Sequence, residues 1–116
     1  MKTTILTKTF NIPTIDQINF AVIVHPEEIP VRGNALASGD DKADKRAEDS
    51  ILRQLENGND WVWCTVEVKA TWKSFTASDF LGCCSYKNQK DFEKGGYFQD
   101  MKEQAFGQIF NQIVNL

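Results

Sequence analysis

The sequence has little of what most active-site chemistry needs. It holds one histidine, His25, and three cysteines, Cys64, Cys83 and Cys84. No Cys-x-x-Cys pair occurs, so a zinc site lacks ligands. Cys83 and Cys84 are neighbours, and adjacent strand residues point to opposite faces, so a bond between them would strain the peptide. A catalytic Cys–His pair needs His25 beside a thiol, and nothing in the spacing places it there. The odd cysteine count, without a secretory leader, points to reduced thiols and a cytoplasmic setting. Residues 1–8 are basic but have no continuous apolar stretch, so no signal peptide is expected. No run of about 18 apolar residues is present to span a bilayer. Basic excess is also missing: thirteen Lys and Arg stand against sixteen Asp and Glu, a net charge of -3 with a pI near 5.1. A general nucleic-acid binder normally shows a basic face, so nucleic acid is not the expected partner. Repeats and low-complexity tracts are absent. No metal, no cofactor and no catalytic set is expected, and the chain reads as a non-enzyme.

What is there reads as one compact domain over residues 1–116, of which 41% are hydrophobic. The clearest signal is a period-2 run over 61–73. Val62, Cys64, Val66, Val68, Ala70 and Trp72 form one face, and Trp61, Trp63, Thr65, Glu67, Lys69 and Thr71 the other, which predicts a long central strand. Residues 3–12 and 18–25 alternate as well and are expected to pair as a hairpin through the turn at 13–17. Residues 26–39, with Pro26, Pro30, Gly33 and Gly39, predict a loop that lies against the body through Ile29, Val31, Ala35 and Leu36. Ala43, Ala47, Ile51, Leu52 and Leu55 predict a helix over 40–57, capped by Ser38 and tilted toward the sheet at its N-terminal half. A turn is expected at 74–79, a short strand at 80–86 in which Gly82 marks a bulge or a close approach by another backbone, and one or two helical turns at 87–94. The last helix covers 98–114, with Gly107 admitting a close neighbour. The expected fold class is α+β: an antiparallel sheet of about four strands, in the order β-β-α-β-β-α, with helices packed on one face. The alternative is a five-stranded sheet with an extra strand in 26–36.

Two surfaces are candidates for binding. Residues 27–60 carry nine carboxylates against five cations, a net of -4, while the rest of the chain is near neutral. Asp40, Asp41, Asp44 and Glu48 on the helix, with Glu27, Glu28 and Arg32 in the loop, are either a solvated face or an acidic surface for a basic protein, such as one that holds nucleic acid. Trp61 and Trp63, with Lys69 and Lys73 nearby, have three readings: cover by the chain's own loop, a protein interface, or stacking of single-stranded bases.

Several phrases carry a resemblance. They are Pro30-Val-Arg-Gly-Asn-Ala-Leu-Ala-Ser-Gly-Asp-Asp41, Trp61-Val-Trp-Cys-Thr-Val-Glu-Val-Lys69, Leu81-Gly-Cys-Cys-Ser-Tyr86 and Gly95-Gly-Tyr-Phe-Gln-Asp-Met101. Over residues 18–106 the chain resembles small uncharacterised phage and prophage proteins of the anti-CRISPR or anti-defence kind. The resemblance carries no site residue with it. It implies a protein of the host-cell cytoplasm that binds and blocks a basic host protein or ribonucleoprotein complex by occlusion. The alternative is a phage accessory protein that binds single-stranded nucleic acid.

Overall fold

The computed structural model describes residues 12–116. A 3-10 turn at Ile15–Gln17 leads into β1, Asn19–Pro26. A long loop then reaches α1, Asp41–Glu56. A second 3-10 turn, Asp60–Val62, precedes β2, Cys64–Trp72, and β3, Phe75–Cys84. Two helices close the chain: α2, Gln89–Lys94, and α3, Gly96–Val114. The fold is α+β, with a three-stranded antiparallel sheet in the order β1-β2-β3.

β2 is the centre, and its alternation explains why. Cys64, Val66, Val68 and Ala70 are fully buried, and the residues between them are not. α3 lies against this face. Its buried residues, Met101, Ala105, Ile109 and Ile113, recur every fourth position and form one stripe. Ala70 and Ala105 share a cluster with Ile18, Ile109 and Ile113. At the other end Phe92 is fully buried, with Trp61, Tyr86 and Phe98 ringed around it at centroid distances of 5.9, 5.3 and 5.7 Å. α3 also guards the edge of β3. Gln108 and Gln112 donate to the carbonyls of Ser78 and Thr76 at 3.2 and 2.9 Å. Edge carbonyls satisfied in this way no longer invite another strand.

Several expectations are corrected. Among the described residues the sheet has three strands and the order is β-α-β-β-α-α; the expected fourth strand, at 3–12, lies mostly outside them. No extra strand forms in 26–36. β2 starts at Cys64, because Asn59 accepts from the Trp61 amide and winds residues 60–62 into a turn. Trp61 therefore points to Phe92 and shares no strand face with Lys69. β3 begins at Phe75, so residues 75–79 of the expected turn are strand. The reversal is a two-residue turn, Lys73-Ser74, between the paired residues Trp72 and Phe75. Lys73 takes a left-handed φ of 54°, under the stack of Trp72 on Phe75.

α1 departs most from expectation. It packs chiefly against the turn at Asp60–Val62 rather than on the sheet. Its one buried residue is Glu48. Its cap is Asp40, which accepts from the amides of Lys42 and Ala43, and not Ser38. Gly107 meets no neighbour among the described residues: a Cβ there would find none of their atoms within 4 Å.

Candidate functional site

The loop between β1 and α1 is held at both ends and through its middle. Pro26 ends β1, and Glu27 turns its carboxylate back to the sheet. Oε1 accepts from the Thr65 hydroxyl at 3.0 Å and from the Cys83 amide, and Oε2 from the Ile29 amide at 3.1 Å. The Cys83 amide is aimed there by a bulge. Val66 pairs with Leu81 and Cys64 with Cys84, so Gly82 and Cys83 together face Thr65. Cys83 adopts a φ of 54°, and a Cβ on Gly82 would come within 3.2 Å of the Glu27 carboxylate. Hydrogen bonds from the Cys83 and Ile29 amides hold the Glu27 pKa below its usual value.

Further on, Trp63 donates its indole N–H to the Ile29 carbonyl at 2.7 Å, and Val31 is buried. Arg32 then forks onto α1. Nη1 donates to Glu48 at 3.1 Å and Nη2 to Asp49 at 2.6 Å. The Gly33 amide donates to the second Glu48 oxygen at 2.8 Å. Ser38 donates to Asp44 through both its amide and its hydroxyl. The loop and α1 thus form one acidic arm, ordered by its own charges.

This arrangement sorts the candidate residues. Arg32 and Glu48 come together. Glu27, Asp40, Asp44 and Glu48 spend their carboxylates on hydrogen bonds within the domain. Glu28 and Asp41 are exposed and make no side-chain hydrogen bond among the described residues. Trp61 is half-buried against Phe92. Trp63 is 6% exposed beneath the loop, so it has no open ring on which a base could stack.

Beside the arm lies a group the sequence did not single out. His25, Glu67 and Ser78 sit on the sheet face opposite α3. The Glu67 carboxylate accepts from His25 Nε2 at 2.7 Å and from the Ser78 hydroxyl. The Ser78 and His25 bonds hold the Glu67 pKa below its usual value. The carboxylate stands between the serine and the histidine. In a catalytic triad the histidine takes that place, so the order here is not that of a Ser–His–Asp triad. Alternation does put Glu67 on this face, but only the register reveals its neighbours: Ile23 and Phe80 lie opposite it.

All three thiols favour the neutral form. Burial pushes the Cys64 pKa up to about 12 and raises that of Cys84, and partial desolvation with the Glu27 carboxylate raises that of Cys83. Among the described residues no group of three His, Cys, Asp or Glu side chains could hold a metal ion. No described helix is long and apolar enough to cross a membrane. Comparison of the chain with protein-family models, with curated proteins and with solved structures finds no match.

Proposed function

We propose that the chain is a non-enzymatic binding protein of a phage or other mobile element, which blocks a host defence complex in the manner of an anti-CRISPR inhibitor. The observation that carries this reading is α1 itself. A helix of 16 residues normally forms because its apolar stripe is buried. Here Ala43, Ala47, Ile51 and Leu55 are only half-covered, the one buried residue is an acid, and the sheet packs on other helices. Such an arm does little for the core and presents an ordered, acidic surface outward. Order before binding lowers the entropic cost of association. Acidic charge speeds the approach of a basic partner, and the bulk of the domain then occludes the partner's own ligand.

The test is protection of a phage. The chain is expressed in bacterial strains that each carry one defence system, and plaques of a sensitive phage are counted. One strain should regain plaques. The Asp41→Lys, Glu56→Lys double variant should lose that effect; both residues are exposed and bonded to no described side chain. Their effects on the helix dipole oppose each other, so α1 should persist. Reversal of Lys87, Lys90 and Lys94 to Glu is the control and should change nothing. If the control abolishes protection and the acidic variant does not, the working surface is not the arm.

A further inference from the structure

At the root of the arm, where β1 gives way to the loop, lies an open concavity of about 330 Å³. One wall is aromatic: Phe80 is 58% exposed, and its ring lies 6.4 Å from that of His25. The same lining is anionic through Glu27 and Glu28, with Thr65 and Ile29 beside them. Behind His25 stands a further carboxylate, Glu67. The nearest cation of the arm, Arg32, is turned away onto Glu48 and Asp49.

We infer that this concavity is an anchor site for an arginine side chain of a protein partner, a reading that rests on the proposed binding of a basic protein. Three features select the occupant. The exposed face of Phe80 carries the negative face of a ring quadrupole, which attracts a cation laid over it. Glu28, whose carboxylate makes no hydrogen bond among the described residues, lines the same space and the fixed charge of Glu27 adds to it, and a guanidinium can stack on a ring and donate in its own plane at once. A lysine ammonium is a compact, strongly hydrated charge that cannot do both. Glu27 is fixed by the Thr65, Ile29 and Cys83 donors, so the anionic wall is in place before the ligand arrives. Anchor residues of this kind, an arginine in a preformed pocket, carry much of the affinity of protein interfaces.

The probe is a short neutral-ended peptide, acetyl-Gly-Arg-Gly-amide, titrated into the 15N-labelled chain and followed by amide chemical shifts. Saturable shifts are expected at Glu28, Ile29, Thr65 and Phe80, and not at Val66 or Ile109. The citrulline peptide, which keeps the shape and removes the charge, should give none, and the lysine peptide should bind more weakly. Glu28→Gln should weaken the arginine peptide about tenfold, the loss of one charge-assisted hydrogen bond. Phe80→Leu, which keeps bulk and removes the ring quadrupole, should weaken it as well, while Asp41→Lys should leave it unchanged. Shifts that do not saturate, equal shifts with citrulline, or indifference to both pocket variants would overturn the site. No partner enters this titration, so a silent pocket removes the arginine site and leaves the inhibitor reading to its own plaque assay.

Discussion

Glu48→Ala tests whether the arm is a separate cooperative unit. The substitution removes the acceptor of two donors. The Gly33 amide lies 2.8 Å from one oxygen and Arg32 Nη1 3.1 Å from the other. Glu48 is 8% exposed, so its amide contact is a protected hydrogen bond to a charged group, with a contribution of about 1.5–3 kcal/mol. The Arg32 side chain is half in water, so that contact is a screened surface pair that adds little, and Arg32 keeps Asp49. The net loss is about 2 kcal/mol, or about thirtyfold in an opening equilibrium. Because α1 packs chiefly on the turn at 60–62, this loss should stay local. Amide hydrogen exchange reads it directly. Gly33, Asn34 and Ala35 should exchange about thirtyfold faster, while Val66 and Val68 keep their rates. Glu48→Gln retains one acceptor oxygen and should fall between. If Val66 and Val68 accelerate as much as Gly33, the arm and the sheet open together, and the picture of a displayed helix fails.

Val66→Ala and Val68→Ala, both at fully buried sites, should each cost about 1–3 kcal/mol in urea melts, and Lys69→Ala less than about 0.5 kcal/mol. Acid should destabilise the fold in a defined window. Glu27 and Glu67 both have folded-state pKa values below the ordinary 4.5, so their contribution is complete above that pH and is lost as pH falls through the depressed values. Urea midpoints measured from pH 7 to pH 2 should fall chiefly below about 4.5, and the fall should be shallower in Glu67→Gln. Gly107→Ala should raise stability by about 0.5–1 kcal/mol, since the added methyl meets none of the described residues within 4 Å and the helix gains propensity; a lower melting temperature would show a contact with the added methyl.

Much of the scaffold was legible because it rests on local periodicity. The alternation of Val66, Val68 and Ala70 marked β2, the spacing from Ala43 to Leu55 marked α1 to within a residue or so, and Gly82 marked the bulge. The reversal at Lys73-Ser74 was legible only in part: Ser74 favours a turn, but nothing marks Lys73 for a left-handed backbone or stops the expected turn at two residues. Its left-handed Lys73 is tolerated because Trp72 and Phe75 clamp the strand ends. The site was legible in composition and not in wiring. Acidic residues were visible in 27–60, but the Arg32–Glu48 pair spans 16 positions and the contact of Glu27 with Cys83 spans 56. His25, Glu67 and Ser78 meet only through strand register, which short-range patterns do not specify.

The bulge in β3 has a consequence for insertions and deletions. Suppose Gly82 were removed. Leu81 would still pair with Val66 and Cys84 with Cys64, now with a single residue opposite Thr65, and every side chain after the gap would keep its face. The core would therefore be served as well by a strand one residue shorter. The extra residue instead turns the Cys83 amide outward to Glu27, where the loop begins. Length in β3 is thus a property of the arm, and a change of one residue there would re-aim the acidic surface while leaving the hydrophobic interior in register.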